Sequence, residues 1–340
     1  MGTVSETRYY LAPMEGITGY VFRNVYHSCF PAMDKYFTPF LSPNQNGTLS
    51  PKEYRDVRPD HNEGMHVVPQ ILTNRAEDFI ATARLLKKMG YDEVNLNLGC
   101  PSNTVVSKGR GSGFLASPEQ LDRCLYQIFS GLDIKISVKT RIGKESPDEF
   151  ERLLSIYNRY HMEELIIHPR IQKDMYRNVP RMDVFARAWT HSLNPVCYNG
   201  DIFWSGDAKV LKERFPSLSA VMLGRGIIAN PGLLLTFGQS GGTPGLSKER
   251  LKEFHDRLYE ANRRVYLAEA GPKVVLFKMK EVWCYLITSF EDSEKPGKKI
   301  KKAQTLQDYE AAVSALFQTT KLTDRAMGQK GEFHAVISGN

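Results

Sequence analysis

The segment NLNLGCPSNTVVSKGRGSGFL (residues 95–115) places a thiol directly after an apolar stretch, between a glycine and a proline. A thiol can react as its thiolate or give up its proton, and nearby cations lower its pKa. Cys100 is followed by Lys108, Arg110 and three glycines within residues 109–113. Glycines let a backbone approach a ligand closely. Cys100 is therefore a candidate catalytic residue, although a lone cysteine more often fills buried space.

Four further short segments carry polar groups that could bind an anionic ligand. Lys139 in SVKTR could hold a positive charge against a developing anion, or could cap a strand end. His168 in IIHPR could belong to the same site or could be a hydrogen-bonded core histidine. In YNGDI and LGRG, glycine N–H groups together with Arg225 could cradle a phosphate.

Alternating strands and helices are predicted to position these residues. Eight apolar runs predict strands at residues 9–14, 32–40, 66–72, 93–99, 134–140, 164–170, 195–201 and 220–226. Amphipathic stretches predict helices at 75–89, 118–129, 147–161 and 206–215, the first with Asn74 as its N-cap. This alternation predicts an α/β fold with a parallel sheet, and eight strands favour a (β/α)8 TIM barrel over a doubly wound sheet.

The positions of the polar residues favour the barrel. At or just after the predicted strand ends lie Met14, Gln70, Asn97, Cys100, Lys139, His168, Asn199 and Arg225. The carboxyl ends of barrel strands meet at one face, where active sites are built. The loops after strands seven and eight usually bind phosphate there. We therefore expect a single site at this face of the barrel.

The chain is predicted to continue beyond the barrel into a second domain. A stretch rich in glycine, serine and proline, GQSGGTPGLSKER (238–250), predicts a linker. The pattern after it is helical. We therefore expect a barrel at residues 1–240, a helical domain at 241–322 and a disordered tail at 323–340.

Composition narrows the class of protein. The 340 residues carry 45 Lys and Arg against 38 Asp and Glu, a net charge of +7. KPGKKIKK (295–302) holds five lysines, which suits either a solvated helix or a polyanionic partner. Five scattered cysteines without a CxxC pair argue against disulfides and a zinc site and indicate a reducing compartment. No apolar stretch suits a membrane helix or a secretory signal, so we expect a cytoplasmic protein without a membrane partner. We also expect a monomer without a metal.

Seven motifs together resemble one enzyme family. LAPMEGIT, PQI, NLNLGCPS, VKTRIG, HPR, NGDI and LGRG occur in the order and approximate spacing found in the dihydrouridine synthases. NLNLGCPS is the most specific, because APM and GRG also occur in other flavin barrels. The resemblance covers roughly residues 9–235, and the helical segment after it resembles the family's tRNA-binding domain. It implies an FMN-dependent oxidoreductase that uses NADPH to reduce a particular uridine in tRNA to 5,6-dihydrouridine.

The same resemblance implies roles for individual residues. Cys100 resembles the general acid that protonates C5 of the uracil while flavin N5 delivers hydride to C6. Cofactor-binding positions are resembled by Pro13, Met14, Glu15, Gln70, Lys139, His168, Asn199, Gly200, Asp201, Gly224 and Arg225. Substrate or tRNA positions are resembled by Asn97, Arg170, Tyr176, Lys278 and Lys280, of which the last two are expected to share a helix face. A thiol suits this chemistry because it can supply a proton without a metal.

The chain departs from the family pattern in places, and two alternatives stay open. Ile171 follows His-Pro-Arg where His-Gly-Arg-Thr is common, and Tyr198 and Phe114 stand where small residues are usual and could narrow the pocket. One alternative is an FMN barrel that acts on a small molecule, similar to dihydroorotate dehydrogenase, although it would not need a basic helical appendage. The other is a tRNA-binding protein without catalysis, against which the intact Cys100 and Lys139 argue.

Overall fold

Nine parallel strands form one sheet in the computed structural model, which describes residues 7–44, 48–237 and 245–323. They are β1 Arg8–Leu11, β2 Lys35–Phe37, β3 Val67–Val68, β4 Gln70–Ile71, β5 Glu93–Leu98, β6 Lys135–Arg141, β7 Leu165–His168, β8 Val196–Asn199 and β9 Ala220–Leu223. The order is β3-β2-β1-β9-β8-β7-β6-β5-β4. β3 and β4 stand at the two ends of this order, yet only Pro69 separates them in the chain, so the two ends of the sheet meet. Pro69 interrupts the strand there because proline cannot donate a ladder hydrogen bond. The sheet is therefore a TIM barrel, as predicted, and not a doubly wound sheet.

Helices connect the strands around the outside of the barrel. They are α1 Tyr20–Cys29, α2 Pro51–Val57, α3 Ala76–Lys88, α4 Asn103–Val106, α5 Pro118–Gly131, α6 Glu149–Tyr157, α7 Met182–His191, α8 Ser205–Arg214 and α9 Arg225–Ala229. The four predicted helices correspond to α3, α5, α6 and α8. The predicted cap of α3 is wrong: Arg75 occupies the N-cap position, and the Asn74 amide instead donates to the Lys108 carbonyl at 3.1 Å.

Among the described residues after the barrel there are four α-helices, which confirms the predicted helical appendage. They are α10 Lys248–Ala270, α11 Pro272–Leu286, α12 Glu294–Lys302 and α13 Leu306–Thr319. The Ser247 side chain caps α10 by accepting from the Arg250 N–H. Arg250 also donates to the Cys29 carbonyl at 2.9 Å, which ties α10 to α1. Residues 238–244 of the predicted linker and 324–340 of the predicted tail lie outside the described residues.

The two faces of the barrel wall differ in polarity. Along β5, Val94, Leu96 and Leu98 join the main core between the strands and the helices. The alternate residues Glu93 and Asn95 are equally buried but polar. A second, smaller core consists of Tyr10, Ala12, Phe37, Val68, Ile166, Cys197, Ala220 and Met222. The barrel interior is therefore apolar on one side and polar along β5. Within the described residues, no helix has the length and apolar character needed to cross a membrane.

Candidate active site

Hydrogen bonds to both the backbone N–H and the backbone carbonyl of Cys100 fix the turn that carries it. The Asn97 Oδ1 accepts the backbone N–H groups of Gly99 at 3.0 Å and Cys100 at 2.9 Å. The Cys100 carbonyl accepts from the Ser112 N–H at 3.0 Å and from its hydroxyl at 2.8 Å. Gly111 has a φ of +56°, and a Cβ there would lie 2.7 Å from the Cys100 oxygen. The glycine loop therefore packs against the cysteine, as its sequence suggests.

The Cys100 thiol is protonated at neutral pH. The side chain is half-buried, and burial raises its pKa above the ordinary value, although the Ser102 backbone and the charges of Arg141 and Lys139 oppose this. A thiol in this state suits proton donation better than nucleophilic attack.

Two cations on β6 lie beside this turn. Burial, followed by the charge of Arg141, lowers the pKa of Lys139 to about 8. Lys139 forms no hydrogen bond or ion pair with any residue that the structure describes. Arg141 is 1% exposed and donates to the carbonyls of Gly99 at 3.0 Å, Ile171 at 2.8 Å and Met175 at 2.6 Å. Arg141 thus fastens the Cys100 turn to the loop after β7. Sequence reasoning missed it, although it stands two residues after Lys139 and therefore on the same side of the strand.

One carboxylate joins the loops after β7, β8 and β9. Asp201 accepts two hydrogen bonds from Arg170, at 2.9 and 2.6 Å, and one from Arg225 at 2.5 Å. Arg170 is 1% exposed and also donates to the Asn178 carbonyl at 2.6 Å. The structure thus brings together three predicted site residues. Arg170 is fully engaged by the protein, whereas Arg225 keeps donors that do not point to Asp201.

His168 is neutral and has a defined tautomer. Burial, reinforced by the charges of Arg141 and Lys139, holds its pKa far below the usual range. Its Nε2 lies 3.0 Å from Nη1 of Arg170. A guanidinium can only donate, so Nε2 accepts and the proton resides on Nδ1.

Tyr176 presents an exposed aromatic ring at the mouth of the barrel. The ring is 53% exposed, with the guanidinium carbons of Arg225 and Arg141 at 4.9 and 5.5 Å from its centroid. The flanking residues Met175 and Asn178 have φ values of 52° and 56°, in the left-handed region that non-glycine residues rarely adopt. The ring therefore lies between two cations at the mouth.

The predicted phosphate loops lie against each other. The Asn199 amide donates to the Met222 carbonyl at 2.9 Å, which joins β8 to β9. A Cβ at Gly226 would collide with the Ile202 carbonyl, and one at Gly224 would lie 3.7 Å from the Met14 sulfur. Glycine is thus required at position 226, where the loop after β9 meets the loop after β8, whereas the 3.7 Å distance at Gly224 is an ordinary van der Waals contact.

Tyr198 and Phe114 do not narrow the mouth, so that expectation is wrong. Both side chains are buried in the main core. The Tyr198 ring packs edge-on against Phe185 of α7, with centroids 5.0 Å apart. Its hydroxyl occupies the space that a Cβ at Gly200 would need. Tyr198 therefore constrains the neighbouring glycine instead of the pocket.

The remaining predicted cofactor residues surround the same mouth. Pro13 and Met14 are half-buried after β1, and Glu15 is exposed and pairs with Lys52 at 2.7 Å. Gln70 is fully buried, and its amide bonds Asn side chains at both ends. Its contact with a flavin edge stays a prediction.

Lys278 and Lys280 do not share a helix face, which corrects the sequence interpretation. Two residues along a helix span about 200°, so the side chains diverge. Lys278 donates to the Gly16 carbonyl of the barrel at 3.3 Å. Lys280 donates to the Ala303 carbonyl at the end of α12.

A family model of dihydrouridine synthase (Dus) matches residues 10–314. The chain belongs to the dihydrouridine synthase family. A probable tRNA-dihydrouridine synthase of Staphylococcus aureus is 31% identical over 229 residues, covering 65% of this chain and 68% of that protein. A tRNA-dihydrouridine(20/20a) synthase of Vibrio parahaemolyticus is 30% identical over 194 residues, covering 53% and 58%. A solved structure of morphinone reductase in complex with tetrahydroNAD superimposes with a TM-score of 0.48 at 12% identity, covering 72% and 89%. The family model and the named relatives confirm the resemblance of the seven motifs, and the chain is an oxidoreductase of this family.

Dihydrouridine synthases are expected to use FMN, and the charges at the barrel mouth fit that cofactor. Four cationic side chains gather there: Lys139, Arg141, Arg170 and Arg225. Among the described residues, Asp201 is the one carboxylate that forms an ion pair with any of them. The surplus positive charge suits a phosphate and an anionic reduced ring. In the same described part of the chain, no three His, Cys, Asp or Glu side chains cluster as metal ligands would.

Proposed function

We propose that this protein reduces a specific uridine in tRNA to 5,6-dihydrouridine, with FMN as cofactor and NADPH as reductant. The observation that carries this proposal is the environment of Cys100. Its thiol stays protonated through burial, although Lys139 and Arg141 lie beside it. The family match and the names of the relatives support the same reaction.

The reaction needs a hydride and a proton on neighbouring carbons. Bound FMN, once reduced by NADPH, would supply the hydride that reaches C6 of the uracil from flavin N5. Cys100 would give its proton to C5, so the C5–C6 double bond becomes single and a thiolate remains. The charges of Lys139 and Arg141 would stabilise that thiolate until solvent returns a proton.

The cofactor would bind across the carboxyl ends of the strands. Its phosphate would bind at Asn199, Gly200, Asp201, Gly224 and Arg225, and its ring would lie against Pro13, Met14 and Glu15, with Gln70 at its edge. Lys139 would place its charge at the N1/O2 end of the ring. Beside it, neutral His168 would offer its Nδ1–H, because Arg170 already occupies Nε2.

The substrate uridine would have to leave the tRNA fold to reach this mouth. Asn97 would hold the uracil beside Cys100, and the exposed ring of Tyr176 would offer it a stacking surface. Arg170, which is buried, would contribute by fixing the positions of Asp201 and His168. The helical domain at 241–322, with Lys278 and Lys280, would bind the tRNA backbone, while residues 1–240 carry the chemistry. We propose that the protein works in the cytoplasm as a monomer.

Base mapping tests the proposal directly. The purified protein is incubated with NADPH and unmodified tRNA, and dihydrouridine is located by mass spectrometry of nuclease fragments. A mass gain of two hydrogens at one uridine is expected. If NADPH is consumed only when a small unsaturated molecule is added, and tRNA stays unchanged, the small-molecule flavin barrel is the correct function instead.

A further inference from the structure

A chain of buried polar side chains crosses the barrel interior and ends at Cys100. Its members are Lys35, Glu93, Ser137, Asn95, Gln70 and Asn97, none of them more than 6% exposed. Barrel interiors are ordinarily filled by bulky apolar side chains, and a buried polar group is unfavourable unless it is hydrogen-bonded. A polar column at this place therefore calls for a role that an apolar core would not supply.

Strand register builds the column. Glu93, Asn95 and Asn97 alternate along β5 and so project to the same side. In the parallel ladders, Asn95 stands opposite Gln70 on β4 and opposite Ser137 on β6. Polar side chains on the neighbouring strands β4, β5 and β6 therefore lie close enough to form a continuous series of contacts.

Every link of the column is a hydrogen bond of ordinary length. Lys35 Nζ lies 2.7 Å from Glu93, and the other Glu93 oxygen accepts from the Ser137 hydroxyl at 2.7 Å. The Ser137 oxygen accepts from Asn95 Nδ2 at 2.9 Å. The Asn95 oxygen accepts from Gln70 Nε2 at 2.8 Å, and the Gln70 oxygen from Asn97 Nδ2 at 2.7 Å. The Asn97 oxygen finally accepts the Cys100 N–H at 2.9 Å.

Both ends of the column have fixed polarity. At one end the Glu93 carboxylate, paired with Lys35, can only accept. At the other end the backbone N–H of Cys100 can only donate. The amides between them satisfy both ends in a single orientation. Turning one amide over would set N–H against N–H and oxygen against oxygen, and buried networks of this kind are stable only when every member is paired.

We propose that Ser137 and Asn95 are positioning residues for Cys100: they lock the amides of Gln70 and Asn97 in the one orientation in which Asn97 accepts the Cys100 N–H. Neither residue touches the substrate. They act because the Ser137 hydroxyl transmits the polarity of Glu93 to the amides. This inference rests on the proposed function, in which Cys100 is the proton donor.

The test removes the Ser137 hydroxyl and follows the Cys100 thiol. Thr140→Val is the matched control, because Thr140 is a fully buried residue on the same strand, and its hydroxyl donates to the Arg141 carbonyl at 2.7 Å and lies 3.0 Å from the Tyr157 hydroxyl, outside the column. Both holoenzymes are treated with iodoacetamide, and alkylation is quantified peptide by peptide, with exposed Cys284 as an internal reference. Ser137→Ala should speed alkylation of Cys100 about tenfold, since an unpaired buried donor shifts a local equilibrium by roughly that factor. Thr140→Val should leave it unchanged.

Catalysis supplies the second measurement. In single-turnover oxidation of the reduced enzyme by tRNA, Ser137→Ala should slow the reaction about tenfold while the tRNA concentration for half-maximal rate stays unchanged. If wild-type enzyme does not reduce tRNA, the proposed function fails, but the alkylation comparison still decides the positioning role.

Several outcomes would overturn the inference. One is equal Cys100 alkylation in Ser137→Ala and Thr140→Val. Another is a rise in Ser137→Ala that extends equally to all cysteines, which would indicate general loosening. If Ser137→Ala is insoluble, Asn95→Ala breaks the column one link nearer to Cys100 and is judged by the same comparison.

Discussion

The guanidinium of Arg225 lies 2.5 Å from the carboxylate of Asp201. Arg170 binds the same carboxylate from the buried side. Asp201 therefore fixes the position of Arg225 before any phosphate arrives, and the cost of ordering that long side chain is met on folding. Replacing Arg225 and replacing Asp201 should therefore have different effects, the first on cofactor binding and the second on stability.

Replacing Arg225 should weaken the cofactor and leave the fold intact. Arg225→Ala removes a charge-assisted phosphate contact, which is worth about 1.5–3 kcal/mol. Flavin release on dilution, followed by fluorescence, measures the dissociation constant. Arg187→Ala is the control, because Arg187 forms an exposed pair with Asp183 on α7, away from the mouth. Unchanged flavin occupancy in Arg225→Ala would refute the phosphate assignment.

Replacing Asp201 should instead lower stability. Asp201→Ala leaves the buried Arg170 guanidinium without its anion, and breaking a buried pair costs about 3–5 kcal/mol. Urea denaturation of the flavin-free protein should show the loss as a lower midpoint. Asp183→Ala disrupts an exposed pair and should change the free energy of unfolding by about 0–1 kcal/mol. Equal midpoints for the two variants would contradict the role given to Asp201.

The sequence was sufficient for the barrel and for the face that carries the site. Strand ends are marked by a change from apolar to polar residues, and parallel topology brings those ends together. This is why Cys100, Lys139 and His168, far apart in the chain, could be assigned to one site in advance.

Other features depend on contacts that no local pattern encodes. Arg141 acts through three backbone carbonyls, which lie 30, 34 and 42 residues away in the chain. Asn74 has the side chain of a helix cap but bonds a distant loop instead. Lys278 and Lys280 are basic in sequence, yet their directions follow from helix geometry and from which neighbours pack there. Tertiary packing decided the contacts of Arg141 and Asn74, whereas helix geometry alone separates Lys278 from Lys280.

Flavin affinity should fall above pH 8. The pKa of Lys139 is lowered to about 8 in the free protein, and an anionic group beside it would raise that pKa again. Binding then takes up a proton above pH 8, so affinity should fall by up to about tenfold per pH unit. Titrations between pH 7 and 9.5 measure this slope, and Lys139→Met should remove it.

The lowered pKa of Lys139 has the opposite effect on folding: stability should rise with pH where flavin affinity falls. A lysine pKa lowered in the native state means that the unfolded chain keeps its proton longer. The contribution of Lys139 to the stability of the flavin-free protein should therefore rise between about pH 8 and 10.5. In the flavin titrations, an affinity that stays constant between pH 7 and 9.5 would contradict the placement of Lys139 beside the ring.

Removing Lys278 and Lys280 should weaken tRNA binding and leave oxidation of NADPH by the flavin unchanged. Each lost phosphate contact should reduce the slope of log affinity against log salt by about 0.7–0.9. The matched control is the double alanine variant of Lys209 and Lys212, which lie on α8 of the barrel. Because Lys280 bonds the end of α12, thermal unfolding of each variant is measured as well. A wild-type salt slope in the double variant would place the tRNA surface elsewhere.

Replacing Cys100 should separate the two halves of the reaction. Cys100→Ala should keep its flavin and should accept hydride from NADPH at the normal rate, because the thiol takes part in neither flavin binding nor flavin reduction. Oxidation of the reduced variant by tRNA should slow by about 10²–10⁴-fold, the usual contribution of a positioned acid. Because burial raises the pKa of the thiol, any loss of the wild-type rate from Cys100 ionisation should begin at a higher pH than for an unperturbed thiol. Rapid mixing of reduced enzyme with unmodified tRNA measures the step, and Cys124→Ala, a buried cysteine on α5, is the control. If tRNA oxidises Cys100→Ala as fast as the wild type, the cysteine only fills space at the strand end.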